Sequence, residues 1–296
     1  MRSDQQCPAG LRRSVGLVVP PREDEVPPEA YDLYPEGIDF VAAGLGLEVM
    51  GPDAFAAALE QLPDAINSLI SQGAEAICLM GTSISFYLGP QKHAELLAQM
   101  RSLAGDVPVS TMTDAVVHGL RKRNVQNIVV ASAYTAPVST ALVEYLRGEG
   151  FRVLADKHLQ ISEIADLGSV DTKALQELGA ELFRSQPGSD GLLISCGGLR
   201  TAAATYALER LFHKPVVSSA VEGCHHAVAL LPRIPSAQAA HSTATSSTQT
   251  TPKGSLSMPY SGAKPEGPRS STMADPAESL FHSSVISSAE SPRTET

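Results

Sequence analysis

Gly191-Leu192-Leu193-Ile194-Ser195-Cys196-Gly197-Gly198-Leu199 reads as a short apolar strand that runs into a cysteine and two glycines. A thiol in that setting stands at a strand end, beside backbone N–H groups that a ligand can approach because no side chain covers them. An earlier stretch, Ala76-Ile77-Cys78-Leu79-Met80-Gly81-Thr82-Ser83, has the same form with glycine in place of the cysteine. The elements around these two stretches repeat as well. One series has Val15-Gly16-Leu17-Val18-Val19 ending in Pro20-Pro21, a strand over residues 75–80, and Val107-Pro108-Val109-Ser110-Thr111 leading into a helical stretch over 114–120. The other has Asn127-Ile128-Val129-Val130-Ala131 ending near Tyr134, the cysteine strand, and Lys214-Pro215-Val216-Val217-Ser218-Ser219 with a helical stretch behind it.

Between the strands, Leu59, Leu62, Ile66, Leu69 and Ile70 follow amphipathic-helix spacing and stop at Gly73, with Pro63 placed to kink or divide the helix. Leu175, Leu178 and Leu182 form another stripe, opened by Asp171 as N-cap. Short apolar strands alternating with such helices predict an α/β fold with parallel sheets covered on both faces. The repeat makes it two pseudo-symmetric Rossmann-like lobes: residues 14–123, with 214–234 packing back onto them, and residues 124–213. Placed face to face, the carboxyl ends of both sets of strands would open onto one cleft, where open α/β sheets bind ligands.

The chain has 296 residues and a net charge of −10, and no Lys/Arg-rich stripe, which argues against a nucleic-acid or anionic-membrane partner. No apolar run approaches the roughly 20 residues that span a bilayer, and the polar start lacks a signal-peptide core. Cys7, Cys78, Cys196 and Cys224 show neither metal spacing nor a disulfide framework, so a reduced, cytoplasmic protein is expected, a monomer by default. His225 and His226 beside Cys224 lack the spacing of a dependable metal site, and no metal is expected. Beyond Pro235 the chain turns to Ser, Thr, Ala and Pro, and residues 236–296 read as a disordered tail with a weak helical tendency over 279–286.

The joint order of several short motifs resembles the aspartate/glutamate racemase superfamily, and within it the arylmalonate decarboxylases. These are Gly16-Leu17-Val18-Val19-Pro20-Pro21, Leu33-Tyr34-Pro35, Ala43-Gly44-Leu45-Gly46-Leu47, Met80-Gly81-Thr82-Ser83-Ile84-Ser85-Phe86-Tyr87, Ala133-Tyr134, Val170-Asp171-Thr172, Ser195-Cys196-Gly197-Gly198-Leu199 and Pro215-Val216-Val217-Ser218-Ser219. Racemases and maleate isomerases of the superfamily carry one cysteine in each half, and the first would fall at Gly81. A single thiol delivers a proton to one face of a carbon only. The resemblance therefore implies a decarboxylase of α-substituted malonates rather than a two-base racemase.

The catalytic set it implies is Cys196 as proton donor, with Thr82, Ser83, Tyr134, Ser195 and Gly197 around the enediolate as an oxyanion-binding group. Val19, Leu47, Met50, Ile84, Ile164 and Leu167 would form an apolar pocket for the departing carboxylate, shaped further by Pro20, Gly81 and Gly198. No motif for a metal, pyridoxal or thiamine is present, so no cofactor is expected, and the partner is a small substituted malonate. A thiol that donates a proton should not have a strongly depressed pKa.

Each residue also has a plainer use. Cys78 lies inside a strand and reads as core; Gly81-Thr82-Ser83 alone could be a capped strand-to-helix turn; Tyr134 alone could be a packed aromatic. An isomerase or racemase of the same superfamily and a non-catalytic dicarboxylate-binding protein stay open as rivals. After Ser219 the likeness fades into Ala220-Val221-Glu222-Gly223-Cys224-His225-His226, leaving residues 227–231 for a shortened closing helix.

Overall fold

The computed structural model describes residues 12–232. The tail expected over 236–296, its short helix and Cys7 lie outside the described residues. The first sheet consists of β1 (Arg13–Val19), β2 (Ile38–Gly44), β3 (Ala76–Leu79) and β4 (Val109–Thr111), in the order β2-β1-β3-β4. The second has β5 (Asn127–Ser132), β6 (Arg152–His158), β7 (Gly191–Ser195) and β8 (Val216–Ser218), in the order β6-β5-β7-β8. Every pair is parallel, with Leu17 opposite Ala42 and Cys78, and Val130 opposite Leu193. The two orders are identical when counted from the first strand of each sheet. The repeat read from the motifs is thus a repeat of topology, and the fold is the two-sheet α/β architecture expected.

Central strands are buried over most of their length because helices cover both faces. Val15, Leu17, Cys78, Val129, Val130, Leu192 and Leu193 have no solvent exposure. The helices of the first half are α1 (Pro28–Leu33), α2 (Pro52–Leu59), α3 (Leu62–Ser71), α4 (Thr82–Phe86), α5 (Gly89–Ala104) and α6 (Met112–Lys122). Those of the second are α7 (Ala136–Gly148), α8 (Thr172–Ser185), α9 (Ala202–Phe212) and α10 (Ser219–Ala229). Pro63 divides the stripe rather than kinking it: α2 stops at Leu59, and Pro63 sits in the first turn of α3, where its missing N–H has no helical partner to lose. Asp171 caps α8 by accepting from the Lys173 N–H at 3.3 Å.

Two strands were not read from the sequence. β2 and β6 each form one edge of a sheet, with β4 and β8 at the other edges, and Asp39 in β2 and Asp156, Lys157 and His158 in β6 break up their apolar pattern. The closing helix also differs from the shortened one expected over 227–231. α10 runs from Ser219, with the Ser218 hydroxyl accepting from the Val221 N–H at 3.4 Å, and it lies against α6 and β3 of the first half. There Glu222 pairs with Arg123 at 2.6 Å. Gly119 permits that approach, since a Cβ at this point of α6 would lie 2.8 Å from the Glu222 carboxylate.

Candidate active site

The carboxyl ends of β1, β3, β5 and β7 converge on a cavity of about 270 Å³. Its wall contains Val19, Pro20, Gly81, Thr82 and Ser83 from the first half, and Tyr134, Cys196, Gly197 and Gly198 from the second. The halves touch closely here. A Cβ on Gly197 would lie 2.8 Å from the Met80 carbonyl oxygen and 2.9 Å from Met112, so only glycine lets the thiol loop lie against the end of β3. On the far side, the Met50 N–H donates to the Ser162 carbonyl at 2.7 Å and the Ile164 N–H to the Glu48 carbonyl at 2.9 Å. These bonds carry Met50 and Ile164 into the cavity from opposite halves.

Cys196 is 4% exposed. Burial pushes its thiol up to about 11, while the N–H groups of Gly198 and Leu199 pull in the opposite direction. The group is a neutral thiol across the physiological range. Tyr134 is buried beside it, with its hydroxyl 3.2 Å from the Ser195 hydroxyl and its ring edge-on to Phe86. Burial raises the phenol well above its usual range, the neighbouring Cys196 adds to this, and the hydroxyls of Ser195, Thr82 and Ser83 partly offset it. The phenol therefore stays protonated and able to donate.

Gly81, Thr82 and Ser83 form more than a capped turn. Gly81 is extended at φ −128° and no side chain caps α4. The Thr82 hydroxyl reaches the Met112 sulfur at 3.2 Å instead. The turn is fastened from behind: Ser85 Oγ donates to the Gly81 and Thr82 carbonyls, both at 3.0 Å, and Thr113 Oγ1 donates to the Thr82 carbonyl at 3.1 Å. The turn is thereby held in the wall of the same small, mostly apolar cavity that Cys196 lines.

The profile of the family described as arylmalonate decarboxylase matches residues 15–243. The chain is 39% identical over 217 residues to the arylmalonate decarboxylase of Bordetella bronchiseptica, covering 73% of this chain and 90% of that one. The chain belongs to the arylmalonate decarboxylase family. A liganded arylmalonate decarboxylase carrying a glycine-to-cysteine and a cysteine-to-serine exchange superposes with a TM-score of 0.72 at 37% identity, covering 74% of this chain and 92% of that one. The maleate isomerase of Nocardia farcinica is 25% identical over 228 residues, covering 73% and 88% of the two chains. A structure of that isomerase superposes with a TM-score of 0.68 at 21% identity over 74% of this chain and 92% of that one, a likeness of fold.

Within this arylmalonate decarboxylase scaffold, the cavity gathers Val19, Pro20, Leu47, Met50, Gly81, Thr82, Ser83, Tyr134, Ile164, Leu167, Cys196, Gly197 and Gly198. Ile84 and Ser195 do not line it. Ile84 is fully buried behind Gly81, where a Cβ on the glycine would come within 2.8 Å of its Cγ2. Ser195 is buried one residue before the thiol, with its hydroxyl 3.2 Å from that of Tyr134, which does line the cavity. The histidines beside Cys224 diverge, His225 to the Tyr34 hydroxyl at 2.8 Å and His226 to the Ser110 hydroxyl at 2.9 Å. Among the described residues, no three His, Cys, Asp or Glu side chains cluster so as to hold a metal ion. No described helix is long and apolar enough to cross a membrane.

Reading the sequence missed one wall. Pro21, Glu25, Val26, Pro27, Pro28 and Glu29 line the cavity from the first half, and Leu199 and Arg200 from the second. Their signal was available in part, since a Pro-Pro pair after β1 and another at the start of α1 mark a stiff segment next to the strand end. A wider hollow of about 710 Å³ lies outside, between residues 44–49 and α2, and does not reach the thiol.

Proposed function

We propose that this chain decarboxylates α-substituted arylmalonates to monocarboxylic acids without a cofactor, using Cys196 as the proton donor. The carbon–carbon bond to one carboxylate breaks, carbon dioxide leaves, and the electron pair passes into the remaining carboxylate as an enediolate. Donors around Thr82, Ser83 and Tyr134 face that developing charge. Val19, Leu47, Met50, Ile164 and Leu167 surround the departing carboxylate with aliphatic and thioether surface, favouring neutral carbon dioxide over the anion. The Cys196 S–H then gives its proton to the α-carbon, and the thiolate recovers one from water.

The observation that carries this reading is the neutral, buried Cys196 thiol opposite a glycine at the equivalent point of the other half. A nucleophilic cysteine needs a lowered pKa, and this one is raised. A second thiol at Gly81 would require Ile84 and Pro20 to move, which speaks against two-base racemisation. The test is carbon dioxide release from phenylmalonate and methyl-phenylmalonate by wild type and Cys196→Ala. Turnover is expected in wild type, with a loss of about 1000-fold or more in the variant. Equal turnover in both removes Cys196 from the role, and silence of well-folded wild type overturns the decarboxylase reading.

A further inference from the structure

Glu29 is a buried carboxylate in the cavity wall that the reaction above leaves unused. It is 4% exposed and stands at the start of α1, directly after the proline-rich wall. Its Oε1 accepts three hydrogen bonds, from the Thr201 N–H at 2.6 Å, the Thr201 hydroxyl at 2.9 Å and the Ala202 N–H at 2.7 Å. Burying a carboxylate is expensive unless donors meet it, and here the donors come from the other half of the molecule. Thr201 supplies no side-chain cap to α9, so Glu29 caps that helix across the lobe boundary, where the helix dipole favours a negative charge.

The position of this contact matters more than its strength. Thr201 ends the same short loop that begins with Cys196. One end of the loop carries the thiol, its middle turns the Gly198 and Leu199 N–H groups toward that thiol, and its other end is gripped by Glu29. We infer that Glu29 is a positioning residue, locking the Cys196 loop and the proline-rich wall together over the cavity so that the thiol is aimed at the substrate carbon and shielded from water. Its effect on turnover rests on the decarboxylase reading. Its effect on thiol access needs no substrate.

The two can be measured side by side in the full chain. Iodoacetamide alkylation of Cys196, assigned by peptide mass spectrometry at fixed pH, reads access; kcat and KM for phenylmalonate read positioning. Glu29→Ala is expected to speed alkylation about fivefold or more, because opening the wall exposes and solvates the thiol. It should lower kcat by about 10- to 100-fold with KM changed less than about threefold, as a displaced reacting group does. Glu29→Gln keeps an acceptor oxygen and should bring both readouts back to within about threefold of wild type. A carboxylate that only caps α9 would change unfolding temperature and leave alkylation untouched, and that result overturns the inference. If Glu29→Ala does not fold, Glu29→Asp withdraws the carboxylate by one methylene, and unchanged alkylation there overturns it equally. Faster alkylation in a protein whose wild type is silent on malonates upholds the clasp while the decarboxylase reading falls.

Discussion

Tyr134 and Cys196 show how burial assigns chemistry at the scale of single residues. Both protons are held above their ordinary range because the charged forms would be buried, and in the proposed reaction the phenol serves as a hydrogen-bond donor and the thiol as an acid. Tyr134→Phe removes one donor while keeping the ring against Phe86, and Ser195 retains the Ser219 hydroxyl at 3.4 Å. Its kcat for phenylmalonate should fall about 100-fold with the unfolding midpoint little changed, compared by steady-state kinetics and urea titration. The strand-end pattern singled out Cys196, and the motifs shared with the arylmalonate decarboxylases added Thr82, Ser83 and Tyr134. They could not place Ser195 and Ile84 behind the wall rather than in it, because a strand or helix turn directs its side chains by geometry that only packing fixes.

At the scale of elements, β5 and β7 are pinned at their amino ends by Asp190. Its Oδ2 accepts from the Asn127 N–H at 2.7 Å, the Gln126 N–H at 3.2 Å and the Asn127 side-chain amide at 2.8 Å. The Asn127 N–H, above all, holds this carboxyl below its usual range. A depressed carboxyl pKa contributes stability that is present above the unfolded value of about 3.9 and is lost as pH falls through the folded one. Urea unfolding at pH 7 and pH 3 should therefore show Asp190→Asn less stable than wild type at pH 7, with the gap closing at pH 3. The central strands of each sheet were legible as apolar runs. The edge strands β2 and β6 were not, since both are partly exposed and a solvent-facing edge tolerates charge, whereas the other two edges, β4 and β8, are buried.

Over the whole molecule, burial of three thiols links folding to alkaline pH. Cys196 is pushed up to about 11 and Cys224 to about 12, and Cys78 is raised further, each chiefly by burial. Their contribution is fully present below the unfolded thiol value of about 8.5 and is lost as pH rises through the folded values. Thermal unfolding scanned from pH 7 to 10 should show Tm falling once pH passes about 8.5, and Cys78→Ala with Cys224→Ala should flatten the fall. The sequence by itself determined the parallel α/β class, the duplicated topology, the helix cap at Asp171 and the single thiol at a strand end. These follow from local periodicity and from residue chemistry that holds in any context. Only the tertiary structure decided that Glu29 reaches Thr201 across the lobes, that Gly197 lies against the Met80 carbonyl, and that α10 forms at full length on α6. Those contacts join residues far apart in the chain, and their free energy exists only once both halves are packed, so no local pattern announces them.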